Sequence, residues 1–320
     1  MKRYCPELDG VRAVAVTLVV LFHAAPFGPF SGGFIGVDIF FVLSAFLITG
    51  ILDQGQRLST FYWRRFLRLM PALLLMLAVY VAAAPLVWPQ YPHGRDAAFA
   101  AFYLSDYGYS LWHIPLYLQH SWSLAVEEHF YLLWPFLLPA LKRARRPDLW
   151  LAGAFVLLTL WRLPFVGDWH DYYYRFDTHA TGLVAGAWLY FARPRVRAPM
   201  AGIAAAVLAL IAVCANIRLA WLFITPAELA AVAVIGFLVR SPSAVLAWPP
   251  LVALGRISYG VYLWHFPIAY ALRGTAGFEL SALITFTASV ATATLSYWSV
   301  EAWARQQRDR RPGGELAATG

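Results

Sequence analysis

An arginine and a histidine stand eleven positions apart, Arg12 and His23, inside the apolar run VRAVAVTLVVLFHAA near the N-terminus. Eleven steps of about 100° return to the same helix face within about 20°, with the two side chains about 16 Å apart along the axis. A guanidinium and an imidazole on one stripe of a lipid-embedded helix are costly, and such residues mark pathways or reaction sites. Charge binding at one end and proton transfer at the other is the chemistry the pair offers, because imidazole suits general-base work near neutral pH. No HExxH or comparable spacing surrounds the histidines, so no metal is expected.

Four more ionisable groups lie in apolar segments: Asp38 in GGFIGVDIFF, Glu127 and Glu128 in SWSLAVEEHFY, and His265 in SYGVYLWHFP. A carboxylate beside His23 would raise its basicity and fix its tautomer. Glu127 and Glu128 are about 100° apart on a helix, so both do not point at one atom. Glu127 shares its stripe with Ser123 and Tyr131, whereas Glu128 aligns with Leu124 and Leu132, which favours Glu127. Each carboxylate also has a plainer reading, an interhelical hydrogen bond that only fixes packing. For His265, a lone histidine before a proline, the plainer reading is a satisfied backbone carbonyl.

A second constellation is LSTFYWRRFLRLMPALL. Arg64 and Arg68 are i,i+4 and Arg65 and Arg68 are i,i+3, so a short helix there would cluster three guanidiniums suited to bidentate phosphate binding. The alternative is a cytosolic anchor with interfacial Phe61, Tyr62 and Trp63. Pro71 fits a helix start or a kink.

The elements that must position these groups are membrane spans. Of 320 residues 61% are apolar, and mean hydropathy is +0.59, well above the roughly 45–50% apolar content of soluble domains. Apolar segments of about 20 residues indicate an all-α polytopic transmembrane bundle rather than a barrel. Ten spans are expected, near residues 11–26, 33–52, 70–88, 121–141, 148–166, 176–192, 198–215, 219–239, 250–272 and 279–303. With the N-terminus inside, 18 of the 25 basic residues fall in inner segments and four in outer loops, which sets both termini in the cytoplasm. The net charge of +8 therefore reads as topology, not as a nucleic-acid surface. Cys5 and Cys214 fall near opposite faces and cannot pair. The MKR start with its apolar run reads as an uncleaved first span, because Asp9 and Arg12 interrupt a signal-peptide pattern. Residues 1–304 form one transmembrane domain, 305–320 a disordered cytoplasmic tail, and the long outer loop at 89–120 covers the outer mouth.

Depth then decides what can meet. His23, Asp38, Glu127, Glu128 and His265 fall in the outer half and are expected to face a common cavity, with Arg175 and Asp177 above them at the start of the sixth span. An anion-binding patch inside and a proton-transfer cluster outside suit acyl-coenzyme A. Its phosphates would bind Arg64, Arg65 and Arg68, with Arg12 at the entrance, and its pantetheine arm of about 15–20 Å would carry a thioester to His23. An acceptor hydroxyl from outside would then be deprotonated by His23 and attack the thioester.

At these residues the chain resembles the acyltransferase-3 family of bacterial membrane O-acyltransferases, which act on O-antigen, exopolysaccharide, nodulation factors and macrolides. The matching segments, in the family's order, are YCPELDGVRAVAV, GGFIGVDIFFVLSAFLIT, FYWRRFLRLMP, SWSLAVEEHFYLLWP, RFDTHATGLVAG and ISYGVYLWHFP. The resemblance implies a ten-helix domain in the bacterial inner membrane. It implies acetyl-CoA or another acyl-CoA as donor, no permanently bound cofactor, and a glycan or lipid-linked saccharide as acceptor. It makes His23 the catalytic histidine with Arg12 its motif partner, and puts Arg65 and Arg68 on the donor side. Asp38, Glu127, Glu128, Arg175 and Asp177 match recurrent polar positions, and Tyr259 and His265 lie in a matching segment read as substrate-binding. Ala45 stands where glycine is usual and His129 where glutamine is common after the glutamate pair. No fused extracytoplasmic domain follows, so transfer is completed by this chain alone or by handing the acyl group to a partner protein. The rival class is a proton-coupled transporter, since intramembrane His, Glu and Arg also suit relays; a macrolide-type small acceptor is the alternative within the enzyme class.

Overall fold

In a computed structural model, residues 4–310 are described; 1–3 and 311–320, which hold the MKR segment and most of the expected tail, lie outside the described residues. Among the described residues every regular element is helical. The helices are α1 (Pro6–Ala24), α2 (Gly36–Asp53), α3 (Leu58–Val87), α4 (His93–Ala101), α5 (Ser105–Trp112), α6 (Trp122–Arg143), α7 (Pro147–Trp161) and α8 (Trp169–Tyr174). They continue with α9 (Phe176–His179), α10 (Thr181–Ala192), α11 (Ala198–Cys214), α12 (Ala220–Leu238), α13 (Pro249–Arg256), α14 (Ser258–Ala271), α15 (Phe278–Trp298) and α16 (Val300–Arg310).

Helices cover all ten expected segments. Five stretches, Gly33–Asp53, Leu58–Val87, Pro147–Phe165, Ile217–Leu238 and Phe278–Arg308, are long and apolar enough to cross a membrane. α10 and α11 are shorter apolar helices. The outward faces are apolar: on α7 only Leu151 is buried, while Leu157 is 69% exposed, a surface fit for lipid chains rather than water. The chain is an all-α membrane bundle.

Tertiary packing moves several boundaries. α3 starts at Leu58 and runs 30 residues through Pro71, so the FYWRRFLRL segment and the span that follows are one rod about 45 Å long. The sixth segment breaks at Ala180 and the ninth at Ile257. The tenth ends at Ser299, after which α16 packs against α3. α16 runs to Arg310, within the stretch expected as a tail; Arg305 Nη2 donates to the Tyr297 carbonyl at 2.7 Å and its guanidinium lies 3.9 Å from the Tyr297 ring centre.

Close backbone approach sets the frame around α1 and α2. A Cβ at Gly36 would lie 2.3 Å from the Ala15 carbonyl oxygen of α1, and one at Gly186 of α10 would lie 2.1 Å from that of Val42. Small residues at such crossings let membrane helices gain van der Waals contact where lipid offers no hydrophobic drive. The segment 89–120, expected as an outer loop, is folded into α4 and α5 and tied down. Asp96 accepts from the Tyr91 hydroxyl at 2.7 Å and the Tyr117 amide at 2.8 Å, and His93 bridges the Tyr80 hydroxyl and the Trp88 carbonyl. Burial and the Asp96 bond push the Tyr91 phenol up to about 12.

Candidate active site

A cavity of about 450 Å³ lies between α1, α2, α3, α6 and α14. Its wall on α2 extends from Val37 to Gln54, about 26 Å of helix axis. One end is set by the N-terminal turns of α1 and α3, which bring Arg12, Arg65 and Arg68 to the lining. Arg12 lies 3.6 Å from Asp9. Arg65 is committed: its Nε donates to Glu128 Oε1 at 2.9 Å, and its guanidinium sits 3.1 Å from the Tyr131 ring centre. Arg68 lines the cavity, is solvent-accessible, and forms no ion pair with the described residues. Arg64, the third guanidinium expected here, is exposed and outside the lining. Glu127 is in the wall with Arg65, Ser44 and Tyr131 as polar neighbours. Tyr259 is also in the wall and donates to the Leu69 carbonyl at 3.0 Å. At the mouth, burial and the adjacent Glu7 push the Cys5 thiol up to about 11.

At its far end this cavity meets a second, smaller space of about 20 Å³ that holds His23. Two side chains, Val37 and Tyr262, belong to both linings. Tyr262 is 6% exposed and pinned as a partition, its hydroxyl 2.6 Å from Ser123 Oγ and 2.8 Å from the His120 carbonyl. The inner chamber is walled by Phe22, Phe34, Trp122, Tyr173 and His120, the last carried in by the turn that closes the outer loop. His23 Nδ1 lies 3.0 Å from the Val19 carbonyl and 3.0 Å from His265 Nε2. His265 Nδ1 in turn lies 2.6 Å from the Tyr262 carbonyl. Phe266 packs edge-on against His23 and flat against His120.

The five groups expected to share one cavity divide among three places. His23 and His265 meet; Glu127 lines the larger cavity, and Glu128, outside that lining, pairs with Arg65 of the wall. Asp38 sits apart, fully buried, with its Oδ1 2.9 Å from His179 Nε2. It adjoins a polar cluster in which Arg162 reaches Glu228 at 3.3 Å and Thr181 bonds both. Equal depth did not bring Asp38 to His23 because the facing direction on α2 is set by packing against α10. Arg175 and Asp177 form a bidentate pair at 3.0 and 2.9 Å. Asp177 also accepts from Tyr107 and Trp161, a clasp between the outer loop and the bundle rather than a part of the His23 chamber. His129 lies 3.1 Å from Asp106 of α5.

His120 and Tyr262, which line these spaces, escaped the sequence reading, as did His179, Arg162 and Glu228 of the cluster around Asp38. Glu228 carried a readable signal, a lone acid inside LFITPAELAAVAV, which in lipid demands a partner. His120 and Tyr262 carried none beyond their proximity to the quoted motifs.

This arrangement can bind an anionic head at one mouth, lead an extended arm to a partition, and present an imidazole just beyond it. Residues 6–301 match the family described as acyltransferase domain. Similar curated proteins include the peptidoglycan O-acetyltransferase OatA of Listeria monocytogenes, 35% identical over 83% of this chain and 50% of that protein. The O-acetyltransferase OatA of Staphylococcus aureus is 32% identical over 83% of this chain and 51% of its own length. The putative peptidoglycan O-acetyltransferase YrhL of Bacillus subtilis is 32% identical over 83% and 49%. The chain thus spans about half the length of the curated relatives it matches. No solved structure matches it. A domain match over nearly all the helices that build the two joined spaces leaves one assignment: this chain belongs to the acyltransferase-3 family.

Proposed function

We propose that the protein is an inner-membrane O-acyltransferase that moves an acetyl group from cytosolic acetyl-CoA to a hydroxyl of a cell-wall glycan outside, peptidoglycan being the acceptor the relatives' names favour. The observation that carries this reading is the partition: a long cavity with cations at its mouth ends against the same two side chains that wall in His23. Both termini are cytoplasmic in this reading, which turns the mouth lined by Arg12, Arg65 and Arg68 towards the donor.

In the proposed reaction, the nucleotide phosphates sit at Arg68 and Arg12 while the pantetheine arm follows α2 towards Val37. The thioester carbonyl reaches the partition, and the glycan hydroxyl arrives from the side of the outer loop. His23 Nε2 accepts the hydroxyl proton as the oxygen attacks the carbonyl carbon; the carbon–sulfur bond breaks, and the coenzyme A thiolate leaves and takes that proton back from the imidazolium. Positioning both reactants against one imidazole supplies the effective concentration such an acyl transfer needs. The test is mass spectrometry of cell-wall acetate in cells carrying the wild type or His23→Ala. Loss of acetyl groups at normal protein level supports the proposal, and acetate unchanged by His23→Ala overturns it.

A further inference from the structure

His265 was read from sequence either as a contact for substrate or as a histidine satisfying a carbonyl. Its two nitrogens do different things. Nδ1 faces the Tyr262 carbonyl at 2.6 Å; two lone pairs cannot meet at that distance, so Nδ1 bears the proton and Nε2 is an acceptor. His23 Nδ1 faces that acceptor at 3.0 Å and the Val19 carbonyl at 3.0 Å. Three acceptors along one chain leave a single consistent assignment of protons. His23 is protonated on Nδ1, shares that hydrogen between Val19 and His265, and keeps the Nε2 lone pair free.

We infer that His265 is a positioning residue for the base, holding the His23 ring by accepting its Nδ1–H so that Nε2 is the nitrogen offered to the acceptor hydroxyl. This rests on the reading of His23 as general base. During transfer His23 becomes an imidazolium, and its Nδ1–H bond to the neutral His265 strengthens because the donor is then charged. His265 itself gains no proton, since its Nδ1 stays bonded to Tyr262 and its Nε2 lone pair stays engaged. A neutral acceptor serves better here than the carboxylate expected from sequence, because both rings are packed against Phe266 and a buried anion would carry a desolvation cost. The other groups facing His23 are Phe22 on its own helix and, farther off, the His120 ring and the Arg273 guanidinium; neither is hydrogen-bonded to it.

The test uses the full-length protein in membranes. His265→Phe removes the acceptor, and His265→Gln returns an amide oxygen at a similar reach. Expected are a fall in kcat of about 10–100-fold for His265→Phe, short of the about 100–10,000-fold of a lost general base because His23 itself remains, KM for acetyl-CoA within about twofold, and substantial recovery of kcat in His265→Gln. Solid-state NMR of ¹⁵N-histidine protein, with His23→Ala to assign the signals, reads the tautomer directly. It is expected to show Nδ1 as the protonated and Nε2 as the unprotonated nitrogen of His23. Full kcat in His265→Phe, or a proton on His23 Nε2, overturns the assignment. If His265→Phe fails to accumulate, the Gln variant and the wild-type spectrum decide, with no recovery or the opposite tautomer counting against it. A wild type that transfers no acyl group defeats the functional reading instead, while the spectrum still reports on the proton assignment.

Discussion

Arg65 and Arg68 look alike in sequence, one turn apart on α3, yet the structure predicts opposite consequences for their loss. Arg65 is largely enclosed, its side chain 11% exposed and that of its partner Glu128 17% exposed. Removing one member of such a pair strands the other, at about 3–5 kcal/mol for full burial; the residual exposure puts Arg65→Gln at the low end, about 3 kcal/mol. That is a large share of the roughly 5–15 kcal/mol that holds a typical domain folded, so the variant should accumulate poorly and unfold at a lower temperature. Arg68 has no such partner and lines the larger cavity, where the proposed donor would bind. Arg68→Gln should leave unfolding unchanged and raise KM for acetyl-CoA, with kcat preserved. A charge-assisted phosphate contact in an accessible site contributes about 1–2 kcal/mol, which is about 5–30-fold in KM, shrinking as salt is added. The assay is coenzyme A release by protein in detergent, run beside thermal unfolding. Arg65→Gln raising KM at unchanged stability, with Arg68→Gln silent, would show that the two guanidiniums had been assigned the wrong way round.

Tyr262→Ala opens the partition, and water reaching a bound thioester should raise acetyl-CoA hydrolysis in the absence of glycan; a rate no higher than wild type would mean the two spaces are divided by something else. Arg162→Leu leaves the buried Glu228 without its cationic partner, at about 3–5 kcal/mol, whereas Arg162→Leu with Glu228→Leu should regain much of that; equal unfolding temperatures for the single and double variants would count against a coupled pair. Because the Cys5 thiol is pushed up to about 11 by burial and then by Glu7, the thiolate is scarce at pH 7–9. Its maleimide labelling should rise about tenfold per pH unit across that window; a labelling rate that does not change between pH 7 and pH 9 would refute this.

The bundle was readable because apolar runs of span length have few alternatives in lipid, and helices lie at all ten predicted segments. What escaped were the breaks at Ala180, Ile257 and Ser299, and the return of α16 onto α3, which depend on neighbours distant in sequence. The Arg12 and His23 stripe was legible from helical period alone, and depth alone brought His265 to the right level. Depth says nothing about azimuth. Asp38 turns to His179, Glu128 is taken by Arg65, and the clasp of Arg175 with Asp177 belongs to the outer loop. His120 was out of reach because a loop residue enters the chamber only once the loop has folded over it.

The unbroken length of α3 bears on the rival idea of a transporter. Alternating access requires some part of the protein to rock while another stays still, with the cargo site at the pivot. Here the residues that would grip the nucleotide and the residues embedded in lipid are on one continuous strut about 45 Å long, with α16 packed against it. A strut of that kind is suited to holding its cargo still while a small fragment is passed onward, and poorly suited to swinging anything across.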